Sequence, residues 1–317
     1  MKKIVSATML VIGTVIGSGF ASGKEIAVFF SRFGSASYVL IPLAGILFFF
    51  IIYAFFNFGA SALKKLEGNR LFLLLTIAIS LVFTSSMFAG TFKVLPGQGW
   101  MKVLFMLAII LYCFKVCRKE VGLLEKLNLT IIPLTLIAMI VVLSSSISLP
   151  KNVGLQNPVA GLFFAVLYVV LNFSVGGVVI AKSGLNMTKK QKVWASILSS
   201  ATLSILLFVT NFVILSNPES MDHSMPIIFL SKGICSILIS FVVFSGCITT
   251  LFSLVFTTAQ SLKRLGAPLW AARAVAVIIP AAGSAFGFGH IVAMLYPLAS
   301  VLGIFLLCLI FILPLRQ

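Results

Sequence analysis

Gly13-Thr14-Val15-Ile16-Gly17-Ser18-Gly19-Phe20-Ala21-Ser22-Gly23 interrupts an apolar run that is otherwise long enough to be a membrane-spanning helix. A second interruption, Asn172-Phe173-Ser174-Val175-Gly176-Gly177, lies about half the chain further on, in the sixth such run. Backbone at bilayer depth has no water to bond, so non-helical segments survive there only inside protein or around a cavity. Paired interruptions at corresponding places in two halves are the pattern that marks a transporter's binding site. The expectation is that the first and sixth helices are both broken and hold a solute between them.

Composition supports the same class. Of 317 residues, 61% are hydrophobic and 9% charged, whereas a soluble domain carries charge on roughly a quarter of its residues. The missing charge implies an outer surface that faces lipid. The net charge of +17 does not point to nucleic acid, because the basic residues fall in short clusters between apolar runs with no aromatic-interleaved patch. Met1-Lys2-Lys3 followed by an apolar stretch resembles a signal peptide, but no hydrophilic mature domain follows it, which argues against cleavage. Cys113, Cys117, Cys235, Cys247 and Cys308 have neither the spacing nor the histidine partners of a metal site and read as small apolar groups.

A span needs about 20 apolar residues. Ten are expected, near residues 4–33, 36–62, 71–93, 100–116, 123–147, 159–182, 193–216, 234–260, 270–288 and 289–314, with a short interfacial helix between the seventh and eighth. Placing the N-terminus in the cytoplasm puts 17 of the 23 basic residues inside: Lys2, Lys3, Lys64, Lys65, Arg70, Lys115, Arg118, Lys119, Lys126, Lys182, Lys189, Lys190, Lys192, Lys263, Arg264, Arg273 and Arg316. Lys24, Arg32, Lys93, Lys102, Lys151 and Lys232 fall outside. The bias, which never reverses along the chain, implies a multi-pass protein of the cell inner or plasma membrane with both termini in the cytoplasm. Two halves of five spans, residues 1–150 and 151–317, then run in opposite senses as one transporter domain built from an inverted repeat.

At a helix break the preceding segment exposes carbonyls, which attract cations, and the following one exposes amides, which attract an anionic group. Small residues for tight helix contact are the competing explanation of the glycines. In the eighth span, Gly246-Cys247-Ile248-Thr249-Thr250 places paired hydroxyls where a hard cation such as Na⁺ would find oxygen ligands. Such hydroxyls otherwise bond to their own preceding turn.

The first-span sequence from Gly13 to Gly23, continued by Glu25-Ile26 and Phe29-Phe30, resembles the YkvI-type bacterial membrane proteins. These in turn are similar to distant members of the amino acid–polyamine–organocation superfamily, whose architecture is the LeuT-like five-plus-five inverted repeat. The resemblance covers the whole chain in helix count and is most specific in the first span. It implies an all-α polytopic fold and a Na⁺ site made by the carbonyls of Gly13 and Ile16 with Gly246, Thr249 and Thr250. Substrate is then expected beside Gly17, Ser18 and Gly19 and along Asn172, Phe173, Ser174, Gly176 and Gly177, with Thr84, Ser85 and Ser86 of the third span nearby. Some proton-coupled relatives carry a lysine in the middle of the fifth helix; here Lys126 lies only at its end, which favours Na⁺ over H⁺.

Ionisable residues at membrane depth are costly and point to function. Glu25 is either a favourable acid in the first turn of a half-helix or a partner for a gate or a ligand amine. Lys24 is unfavourable at that end and is expected to gate against Glu219 or Asp222. His223 is read as solvated and His290 as interfacial, and interhelical hydrogen bonding is expected to satisfy Asn57, Asn211 and Tyr296.

The function expected is ion-coupled secondary transport of a small solute, an amino acid or related amine, by alternating access, with no cofactor beyond Na⁺. A receptor that keeps the fold without moving solute is the alternative. No filter-like repeat suggests a channel, and six acids and two histidines assemble no hydrolase or metalloprotease motif.

Overall fold

The computed structural model describes residues 2–97, 99–116, 122–145 and 154–312. Expectations concerning Cys117, Arg118, Lys119, Lys151 and Arg316, and the side chain of Lys126, lie outside the described residues.

The first apolar run is interrupted as expected. Helix α1 (Lys2–Val15) stops at Ile16, and Gly17 is extended (φ −89°, ψ −171°) before the single turn α2 (Ser18–Ala21). Gly23 then takes φ +79°, a left-handed conformation that disfavours any residue with a Cβ, and α3 (Lys24–Phe29) resumes the helix. Helix α4 (Ser37–Ala54) continues through a widened π turn, Phe55–Gly59, into α5 (Ala60–Leu66). Next come α6 (Arg70–Val94), α7 (Trp100–Val116) and α8 (Gly122–Ser145).

The second half holds α9 (Pro158–Ser183), α10 (Lys189–Ser216), the short α11 (Pro226–Leu230) and α12 (Ile234–Arg264). It closes with α13 (Leu269–Gly283), α14 (Phe288–His290), a π turn at Ile291–Leu295 and α15 (Tyr296–Phe311). Local chemistry sets several starts. Asn69 Oδ1 accepts from Phe72 N at the head of α6, Asn157 Oδ1 caps α9 ahead of Pro158, and Thr188 with Gln191 forms a reciprocal capping box on α10.

Among the described residues, seven helical runs are long and apolar enough to cross a membrane: Ser37–Leu66, Arg70–Val94, Pro158–Asn186, Lys189–Ser216, Ile234–Arg264, Leu269–Phe286 and Phe288–Phe311. Large apolar side chains such as Val39, Ile46, Phe50, Ile205, Phe241 and Phe305 point outward, a surface suited to lipid rather than water. This is an all-α polytopic membrane protein. Inside the bundle α12 packs along α6, α9 against α15 and α4, and α10 against α4 and α1. At one end Lys3 Nζ donates to Asn186 O at 3.0 Å, and Arg264 pairs with Glu67 at 3.8 Å. At the opposite end Gly34 bridges Leu155, and Arg32 stacks its guanidinium 3.9 Å from the Phe164 ring centre.

The sixth run corrects the sequence expectation, because α9 is wound continuously through Asn172, Phe173, Ser174, Gly176 and Gly177. Its polar side chains close on their own preceding turn. Asn172 Nδ2 donates to Tyr168 O at 2.9 Å and Ser174 Oγ to Val170 O at 2.7 Å. Its glycines serve packing: a Cβ on Gly176 would overlap Thr14 of α1, and one on Gly177 would meet the ring of Phe55. An unbroken helix leaves no backbone group unsatisfied in an apolar setting, which a break without a polar cavity could not match.

Candidate functional site

The chemistry begins at the first break. Gly17 N donates to Val15 O at 2.9 Å instead of reaching Gly13, and the next bonds back along the chain run from Ala21 N to Gly17 O and from Ser22 N to Ser18 O. The carbonyls of Gly13, Thr14 and Ile16 thereby lose their usual donors, and the amides of Ser18, Gly19 and Phe20 find no acceptor in α1. Of these groups the carbonyl-bearing residues Gly13, Thr14 and Ile16 line a cavity, where freed carbonyls attract a cationic group, whereas Ser18, Gly19 and Phe20 are buried away from it.

A cavity of about 270 Å³ adjoins this break. Its wall includes Gly13, Ile16 and Gly17 from the break, Phe173, Ser174 and Gly176 from α9, and Gly246, Thr249 and Thr250 from α12. Nine residues expected from sequence are therefore brought together across three helices. Gly246 lies close against the break: a Cβ there would sit 3.4 Å from Ser18 N, in van der Waals contact. Thr249 Oγ1 is engaged with the carbonyls of Ser245 and Gly246, at 3.0 and 3.3 Å, but keeps lone pairs free to accept a cation. Thr250 has no hydrogen-bond partner among the described residues. Gly13, Ile16, Thr249 and Thr250 bring oxygen atoms to one cavity wall, the atom type that a hard cation takes as ligand. From the break the cavity extends past Thr76, Phe256, Thr257 and Lys182 toward the end of the bundle that carries the N-terminus.

Other expected residues are placed differently. Ser18 Oγ is buried on Met87 Sδ at 3.2 Å, and Gly19 is covered by the Glu25 side chain. Asn172 and Gly177 do not line the cavity, and Thr84 back-bonds to Ser80 O at 2.6 Å. Ser85 packs against Gly283 of α13 and donates to Leu81 O, so it faces away from the break. Ser86 is buried with an unpartnered hydroxyl.

A second concavity, about 1020 Å³, occupies the opposite end and is lined by Lys24, Lys93, Lys102, Asp222, His223 and His290 among others. Lys24 was expected to pair with Glu219 or Asp222. Its ammonium instead donates to the carbonyls of Met221 (2.8 Å) and His223 (3.0 Å), with Asp222 adding electrostatic attraction. Ile227 N of α11 also donates to Ser22 O at 3.0 Å, so this loop helix is seated directly on the break. His223 is stacked on Phe229, ring centres 3.6 Å apart.

Phe20, Glu25, Phe83, Met87, Tyr168 and Tyr296 line neither concavity, and all are buried. Asn211 behaves as expected, bridging Ser31 and Ser37 at 2.8 Å each, and Asn57 bonds to Tyr53 O and Lys192. Tyr296 does not: its hydroxyl and that of Tyr168 are buried without a hydrogen-bond partner among the described residues. Sequence reasoning passed over Tyr168 entirely. The signal available was a phenol in the middle of an apolar helix, four residues before Asn172.

No protein-family model matches this chain. It is similar to the uncharacterized membrane protein YkvI of Bacillus subtilis (strain 168), with 26% identity over 318 aligned positions that cover 90% of this chain and 89% of that protein. The likeness covers nine-tenths of the chain and supports a YkvI-type membrane protein.

Proposed function

We propose that this protein is a secondary transporter that carries a small solute, an amino acid or related amine, across a membrane by alternating access with Na⁺ as coupling ion. The carrying observation is the broken first helix, whose freed carbonyls border a cavity that reaches one end of the bundle and shares no lining residue with the basin at the other. In this reading ten spans form two halves of five, and α1 to α3, α7 and α8 supply the three that join the seven apolar runs named above. Both termini lie in the cytoplasm, so the cavity faces inward and the Lys24 basin outward. Because α9 is continuous, main-chain recognition comes from the first helix alone, and the other helices contribute side chains.

Na⁺ sits between Gly13 O, Ile16 O and the hydroxyls of Thr249 and Thr250, and the solute lies next to Gly17. The test is the unfolding midpoint of the purified protein with Na⁺ exchanged for K⁺. Na⁺ at ten times its dissociation constant stabilises by about 1.4 kcal/mol. Thr249→Ala combined with Thr250→Ala removes that increment, and Thr250→Ala alone removes more than Thr249→Ala, whose hydroxyl is already committed to backbone. Undiminished Na⁺ dependence in the double variant places the ion elsewhere.

A further inference from the structure

Glu25 is 5% exposed and has neither an ion pair nor a hydrogen bond among the described residues. Its neighbour Lys24 does not neutralise it, since that ammonium is bound to the carbonyls of Met221 and His223. The Glu25 carboxyl lies over Gly19, where a Cβ would collide with its Oε1. Glycine at that position is what lets the acid fold back across the break. Tyr168 from α9 and Tyr296 from α15 lie within electrostatic range of the carboxyl. Ser86 from α6 neighbours the Tyr296 phenol. All three hydroxyls are buried and outside good hydrogen-bond geometry, although Tyr296 lies close enough to Ser86, and Tyr168 to Asn172, for a weak polar contact.

Two phenols from α9 and α15 thus share the electrostatic surroundings of one buried, unpaired acid, with Ser86 of α6 beside the second, an arrangement that is costly unless something supplies donors and positive charge. A proton alone would neutralise the carboxyl and leave the hydroxyls as they are. Na⁺ has its own donor set at Gly13, Ile16 and Thr250, and it gains nothing specific from aromatic faces. An ammonium group answers every feature. It carries charge for Glu25, N–H donors for the carboxyl and hydroxyl oxygens, and a cation attracted by the two phenol rings. We propose that Glu25, Tyr168, Tyr296 and Ser86 form the subsite for a primary ammonium group of the solute. This rests on the transporter reading and deepens it.

The test compares thermal stabilisation of purified protein by amino acids and short straight-chain primary amines, each paired with the analogue bearing a hydroxyl in place of the amine. Wild type is expected to prefer at least one amine over its hydroxyl partner. Glu25→Gln weakens that ligand by about tenfold or more and abolishes the preference. Tyr296→Phe and Tyr168→Phe weaken it less, and if Glu25→Gln fails to fold, Glu25→Asp gives an intermediate loss. No amine preference in wild type, or a preference that survives Glu25→Gln, overturns the subsite. Survival of the preference together with an altered pH dependence of uptake would instead assign a proton to Glu25, which also overturns it. Uptake of the same labelled solute into proteoliposomes separates the two proposals. Amine preference without uptake defeats transport and leaves the subsite standing, whereas uptake without a Glu25-dependent preference does the reverse.

Discussion

The first and sixth helical runs carry similar glycine-bearing stretches, yet one is broken and the other is wound through. A glycine weakens a helix by only about 1 kcal/mol, less than the cost of leaving peptide groups unpaired in an apolar surrounding. Glycine content therefore does not decide the outcome; what faces the glycine does. Around Gly17 a Cβ would meet nothing within 4 Å, and the freed carbonyls border a cavity with Thr249 and Thr250 on its far wall. At Gly176 and Gly177 the Cβ positions are filled by Thr14 and Phe55. The same residue type opens a site in one helix and closes a helix contact in the other.

The largest effect that can break this contrast lies in the continuous helix. Gly176→Ala drives a methyl into Thr14 Cγ2, and overpacking of this kind costs about 1–3 kcal/mol. Thr14→Ser deletes that methyl while keeping the hydroxyl bonded to Leu10 O, so the double variant regains most of the lost stability. A double-mutant cycle on the unfolding midpoint measures the rescue; additive losses would mean that Gly176 is not held against α1.

A smaller effect is expected at the second corner of the first break. Gly23→Ala forces a Cβ onto φ +79° and toward Ile227 of α11, at roughly 1–2 kcal/mol for the backbone conformation. The strain falls on the seat of the loop helix that covers the break. Proteolysis between α10 and α12 should accelerate in this variant, and an unchanged cleavage rate would show that α11 is held by other contacts.

How much of this was legible beforehand follows from which signals are local. Helix boundaries and the first break are written in contiguous apolar runs and a G-x-x-x-G-x-G pattern, and the cavity gathers Gly13 and Ile16 with the adjacent Thr249 and Thr250. The continuity of α9 was not legible, because it depends on Thr14 and Phe55 arriving from helices far away in sequence. Ser85 was misplaced for a related reason. Ser85 and Ser86 are consecutive, so a helix must turn one of them away, and only packing against Gly283 reveals which. The role of Glu25 was half visible: an acid after a break is conspicuous, but its cover of Gly19 and its two phenol neighbours exist only in three dimensions. Lys24 was read through charge alone, while backbone carbonyls proved the nearer acceptors.

The smallest effect on stability is the sharpest test of the comparison, at Gly17 itself. Its backbone is extended with negative φ, a conformation any residue adopts, and the added methyl meets open space. Gly17→Ala removes freedom from the unfolded chain, so the unfolding midpoint without ligand should hold or rise slightly, by up to about 1 kcal/mol. The methyl nevertheless enters the cavity beside the freed carbonyls, so Na⁺-dependent stabilisation should fall while the fold does not suffer. Gly176→Ala is expected to behave in the opposite way, losing stability first and ligand response only as a consequence. If Gly17→Ala costs as much stability as Gly176→Ala and leaves the Na⁺ response intact, the break is a packing device like its counterpart in α9, and the cavity beside it is not where the ion binds.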